Sequence, residues 1–154
     1  MSTLIRKTFP VPPLSCNCTI LGDPNSKQAL VVDPGGDADR ILREVKELGL
    51  TVSMILHTHA HFDHFLASGT IREATNAPIC LHHDDLKLWD MLELQCQMFR
   101  IPYNPVPAPD AWLCDEESFT IGEARGTVIH TPGHTPGSLC FHFAEGSLVL
   151  SGVP

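Results

Sequence analysis

The chain has 154 residues, 43% of them hydrophobic, which suits one ordinary domain with a sizeable core. Eighteen acidic residues against ten basic ones give a formal net charge of -8, which repels a phosphate backbone and argues against a nucleic-acid partner. Residues 1–14 place Arg6 and Lys7 among prolines without a continuous apolar run, so no secretory signal is expected, and no stretch is long enough to span a membrane. The six cysteines (Cys16, Cys18, Cys80, Cys96, Cys114 and Cys140) form no C-x-x-C pair, and the expectation is reduced thiols in a cytoplasmic protein.

In chain order, residues 16–21 and 29–32 read as short strands joined by the turn-forming run Gly22-Asp23-Pro24-Asn25-Ser26, a hairpin. After Asp33-Pro34-Gly35-Gly36, Ile41, Leu42, Val45 and Leu48 recur at helical spacing, with Gly49 placed as a C-terminal cap. Residues 52–56 form an apolar strand that runs into a histidine-rich turn, followed by an amphipathic helix over 63–75. A strand over 78–81 precedes a helix over 84–99, with Leu88, Met91, Leu92 and Gln95 on one side and a solvated charged face. The four prolines within 101–109 predict an extended surface loop. Strands are expected over 118–121, 126–131, 138–143 and 147–150.

The run His59-Ala60-His61-Phe62-Asp63-His64 sets four potential ligands within six positions at the end of a buried strand. Residues two apart on an extended chain point to the same side, so His59 and His61 can share one metal, and imidazole and carboxylate are both zinc ligands. Asp63 and His64, further on, can face a neighbouring position. A third ligand is needed from far along the chain, and His134 in Thr131-Pro132-Gly133-His134-Thr135-Pro136-Gly137 supplies it from a stiff turn. Three histidines plus an open position is the usual catalytic zinc arrangement. His57, His82, His83, His130 and His142 read instead as strand-end, cap or core residues, although His57 shares the alternation of His59. Asp33 reads as a turn former, with orientation of a ligating histidine as its other possible role.

His-x-His-x-Asp-His followed by Pro-Gly-His-Thr-Pro-Gly resembles the metallo-β-lactamase superfamily, and most of all its compact glyoxalase II-like (hydroxyacylglutathione hydrolase-like) members. Asn17-Cys18, Asp33-Pro34-Gly35-Gly36 and Gly137-Ser138 extend the match along a single domain, whereas residues 86–113 add little. The resemblance implies an α/β fold, an αββα sandwich with its metal site at one edge of the two sheets. It implies one or two zinc ions, with iron as another possibility. His59, His61 and His134 would form the first site, and Asp63 and His64 half of the second. Asp63 would also act in catalysis, orienting the nucleophile or accepting its proton. The implied reaction is hydrolysis of a small-molecule thioester, such as an acylglutathione, by metal-activated water.

The family continues after its last matched strand with Gly-Asp, whose carboxylate bridges both metals, where this chain reads Ser151-Gly152-Val153-Pro154. The expectation is therefore a sandwich lacking its C-terminal part, with weak second-metal binding, exposed apolar faces on both sheets and self-association through them. Two rival readings stand beside the hydrolase. One is an iron persulfide dioxygenase of the same fold; the other is an inactive remnant that keeps one metal site. A β-lactamase or a nuclease of the superfamily ranks below both.

Overall fold

The computed structural model describes residues 3–144 and 148–152. Strands β1 (Ile5–Val11), β2 (Cys16–Gly22) and β3 (Gln28–Val32) form an antiparallel meander. Helix α1 (Ala38–Glu47) then crosses over to β4 (Thr51–Leu56), which lies parallel to β3. Parallel neighbours need such a crossover, because a tight turn reverses the chain. Helix α2 (Ser68–Thr75) leads in the same way to β5 (Ile79–Leu81), and two short helices, α3 (Leu86–Asp90) and α4 (Leu92–Met98), precede β6 (Ala111–Trp112). These strands make one six-stranded sheet in sequential order. The second sheet holds β7 (Ser118–Ile121), β8 (Ala124–His130), β9 (Leu139–Phe143) and β10 (Leu148–Ser151), all antiparallel, in the order β10-β9-β8-β7.

Two cores lie on opposite faces of the six-stranded sheet. Ile20, Val31, Ile55, Ile41, Ile71 and Trp89 belong to the core between this sheet and the helices. Leu21, Leu30 and Leu56 point the other way, into a core shared with Val128, Phe141 and Phe143 of the second sheet. Buried on both faces, β3 and β4 read as apolar runs rather than alternating patterns. Among the described residues the layers are therefore helices, sheet and sheet. The buried apolar residues of all four helices fall in the first core, and none of them packs in the core of the second sheet.

Several expectations require correction. The helix predicted over 63–75 begins only at Ser68; residues Phe62–His64 form a 3-10 turn instead, because Phe62 N donates to the side chain of Gln95 and the chain turns inward. The helix predicted over 84–99 is a 3-10 turn followed by α3 and α4, broken at Met91. Its charged face is not wholly solvated, since Asp85 is fully buried. Strands β1 and β6 were not expected; β1 is an edge strand, where Pro10 need not donate to a ladder. The strand predicted over 147–150 appears as Leu148–Ser151, with residue 147 outside the described residues. Exposed apolar faces were expected on both sheets, but helices cover the outer face of the six-stranded one. No helix among the described residues is long and apolar enough to cross a membrane.

Candidate metal centre

The topology brings five chain segments to one edge of the sandwich. Parallel strands β3 and β4 both end there, delivering Asp33 and then His57 to His64; antiparallel β2 begins there with Cys16. From the second sheet come the turn after β8, carrying His134, and the end of β10 at Ser151 and Gly152.

His59, His61 and His134 offer ring nitrogens that all lie within 4.8 Å of one another. The rings of His59 and His61 stand 4.8 Å apart at 87°, those of His59 and His134 4.8 Å apart at 78°, and those of His61 and His134 4.6 Å apart at 89°. Such edge-to-face arrangement lets three nitrogens point to a common centre. Burial, then repulsion from His64, pushes the His59 imidazolium down to a pKa of about 3. Burial and the neighbouring His134 lower His61 as well. Neutral imidazole is the form that ligates a metal.

The hydrogen bonds also fix which nitrogen of His59 is available. Thr58 Oγ1 donates its single hydrogen to Asp33 Oδ2 at 2.6 Å, so its 3.0 Å contact with His59 Nδ1 has the ring as donor. The lone pair is left on Nε2. Asp33 is buried, and its Oδ1 accepts from Thr58 N at 2.8 Å while Oδ2 also accepts from His64 Nδ1 at 3.1 Å. Burial pulls the Asp33 carboxyl up, but the hydrogen bond and charge of His64 and the bond from Thr58 outweigh it, leaving it below the ordinary range. His64 moves the other way: despite burial, the bonds to Asp33 and Cys16 raise it to about 10. Asp33 thus orients residues of both clusters, the less favoured of its two sequence readings.

His64 Nε2 faces Asp63 Oδ2 at 3.6 Å. Cys16, Asp63 and His64 form a second group whose ligand atoms lie within 4.8 Å of one another. A cavity of about 280 Å³ opens on these three, and one of about 220 Å³ opens on His59 and His134; Ser151 and Gly152 border both.

Two buried residues that the sequence did not mark as part of the site hold the loops together. Asp85 Oδ2 accepts from Ala60 N at 2.9 Å and Thr135 Oγ1 at 2.7 Å, and its Oδ1 accepts from Gly137 N at 2.7 Å. Gln95 Oε1 accepts from Phe62 N at 2.9 Å, while its Nε2 donates to the carbonyls of Ala60 and Leu88. The remaining histidines lie apart from the first cluster. His57 is fully buried, donates through Nδ1 to Cys80 O at 3.0 Å and accepts at Nε2 from Ser68 Oγ at 2.6 Å. Burial pushes its pKa down to about 4. His82 and His130 stack at 4.2 Å and group with Asp84, but His82 Nδ1 accepts from Asp84 N and His130 Nε2 donates to Pro136 O. His83 meets Trp112 edge-on, and His142 lies half-buried on β9.

The donor set fits a metal ion. Three histidine ring nitrogens converge without an acid among them, and a carboxylate, a further histidine and a thiol stand alongside. Comparison with known proteins agrees. The sequence profile of the metallo-beta-lactamase superfamily matches residues 11–152. A Haemophilus influenzae protein named hydroxyacylglutathione hydrolase GloC is 32% identical over 146 residues, covering 94% of this chain and 68% of that protein. The Bacillus subtilis probable metallo-hydrolase YqgX is 36% identical over 95% of this chain and 69% of its own length. The crystal structure of TTHA1623 in a di-iron-bound form superposes with a TM-score of 0.84 at 30% identity, covering 94% of this chain and 70% of that one. The chain belongs to the metallo-beta-lactamase superfamily, a family of metal-binding hydrolases.

Proposed function

We propose that the chain is a thioester hydrolase of the glyoxalase II type, acting on a small-molecule substrate such as an acylglutathione, with zinc or iron as its metal. The observation that carries the reading is the convergence of the ring nitrogens of His59, His61 and His134 beside a carboxylate. The relative named hydroxyacylglutathione hydrolase supports the substrate class. The di-iron structure shows that a protein of this fold accepts iron.

In the proposed mechanism, His59 Nε2, His61 and His134 would hold the ion, and Asp63 and His64 stand beside them. When bound, the metal would supply Lewis-acid chemistry, making water a nucleophile near neutral pH. Asp63 would orient the attacking water and take its proton, a role that requires hydrogen-bond reach of the reacting oxygen. Asp33 holds the His64 ring through Nδ1 and, through Thr58, the His59 ring. Asp85 and Gln95 keep the loop bearing His59 and His61 in register with the turn bearing His134. A thiolate leaves readily at neutral pH, so the expulsion step needs no dedicated acid.

Elemental analysis of the purified chain, run beside thioester hydrolysis with an acylglutathione, tests the reading. The expected result is at least one zinc or iron per chain with turnover, and His134→Ala should lose both the first-site ion and the turnover. Metal with oxygen uptake on a glutathione persulfide and no thioester turnover would favour the dioxygenase. Metal without either activity would make the chain an inactive remnant.

A further inference from the structure

Cys16 opens β2 at the site edge, and its thiol is held against the loop that bears Asp63 and His64. Cys16 Sγ donates to Asp63 O at 3.0 Å. The contact depends on Gly35: a Cβ there would lie 2.8 Å from Cys16 Sγ and 1.8 Å from Asp63 O, so only glycine lets the three segments meet. Since His64 Nδ1 is engaged by Asp33, Nε2 faces Asp63 Oδ2 at 3.6 Å. Two ligands of one tetrahedral zinc stand about 3.3 Å apart, close to that separation. The sulfur completes a group in which all three ligand atoms lie within 4.8 Å, at the wall of the 280 Å³ cavity. The other described cysteines sit elsewhere: Cys18, Cys80 and Cys96 are buried in the cores, Cys114 is exposed, and Cys140 lies on β9.

We propose that Cys16 supplies, as a thiolate, the third protein ligand of a second metal site completed by Asp63 and His64. The proposal rests on the reading of His59, His61 and His134 as the first site. When the three residues bind the ion, the Cys16 thiol proton and the Nε2 proton that His64 carries in the absence of metal both leave to solvent, and the hydrogen bond to Asp63 O is given up; no oxidation is involved. A mixed sulfur, nitrogen and oxygen set selects zinc or cobalt over magnesium or calcium, which prefer all-oxygen sites. Such a site would hold a second ion with this chain's own residues, against the weak binding expected from Asp63 and His64 alone.

Cobalt(II) titration followed by absorption spectroscopy tests the inference with a readout independent of catalysis. The first equivalent should produce only the visible bands of a histidine site. The second should add a near-ultraviolet thiolate-to-cobalt charge-transfer band. Cys16→Ser should abolish that band and weaken the second equivalent more than about tenfold, while the first remains. His134→Ala should lose the first site and keep the band, which controls for folding. Two equivalents without the band, or a band that survives Cys16→Ser, would overturn the role of Cys16 alone. No cobalt binding at all would overturn the first-site reading together with it.

Discussion

Thr135 Oγ1 donates to Asp85 Oδ2 at 2.7 Å, and through this bond the turn that carries His134 is joined to the turn that precedes α3. The same carboxylate also accepts from Ala60 N, between His59 and His61. One buried acid therefore sets the distance between ligands more than seventy residues apart in sequence.

Asp85→Ala removes three acceptor contacts and leaves the N–H groups of Ala60 and Gly137 buried without partners. Hydrogen bonds to charged groups are worth about 1.5–3 kcal/mol each, and an unsatisfied buried donor costs a similar amount. Urea unfolding of the metal-free chain should show a loss of more than about 3 kcal/mol. Thr135→Val removes the bond to Asp85 and the 2.8 Å contact with Ser138 Oγ, and should cost about 1–3 kcal/mol. Equal stability of Asp85→Ala and the parent chain would mean that the carboxylate does not hold the loops.

Thr58 passes the influence of Asp33 to His59. Replacing it with valine keeps the shape but removes the oxygen that fixes the His59 tautomer. First-site zinc affinity, measured by competition with a chromophoric chelator, should fall about 10–100-fold, the usual effect of losing such a partner. An unchanged affinity would show that the His59 tautomer is set by something other than Thr58.

The parts of this site that were legible in the sequence are those written in contiguous residues. His59, His61, Asp63 and His64 follow a buried strand, and His134 sits in a stiff turn, so residue type and spacing sufficed to group them. Asp85 was not legible, because Asp84-Asp85 at the start of a helical stretch looks like an ordinary solvated pair. Only the fold shows that Asp84 is exposed and Asp85 fully buried. Cys16 lies 47 residues before Asp63, and no local pattern marks a thiol for a distant carboxylate. Strand β1 was hidden for a related reason: as an edge strand with exposed Arg6, Lys7 and Thr8, it carries little of the apolar signal that marks a buried strand.

Asp110 ties α2 to the region between β5 and β6. Its carboxylate accepts from Arg72 Nε at 2.7 Å and Nη2 at 2.8 Å, and from Ile79 N at 2.9 Å. The hydrogen bond from Arg72 is the main cause that holds the carboxyl below its ordinary value of 3.8. A depressed folded-state pKa adds stability above the unfolded value, and that contribution is lost as pH falls through the folded value. The pair is partly exposed and screened by solvent, so the ion-pair part is small. Asp110→Asn should therefore lower the unfolding temperature at pH 7, and the gap from the parent should shrink below about pH 4. A constant gap across that range would assign the effect to Ile79 N alone.

The outer face of the second sheet sets the last expectation. Cross-strand register places Ile129 opposite Cys140 and Val149 opposite His142, so these four side chains share one face. Ile129 is 38% exposed and Val149 55% exposed, and among the described residues no helix packs over them. An apolar sheet face open to water favours burial against a second surface. Sedimentation velocity should show concentration-dependent self-association of the chain. Val149→Lys should shift the population toward the monomer. A surface change of this kind alters folding stability by no more than about 0.5 kcal/mol, so the unfolding midpoint should stay near the parent's when both are compared as monomers. A parent chain that remains monomeric at every concentration would show that the polar members of the face, Thr127 and His142, are enough to keep it in water.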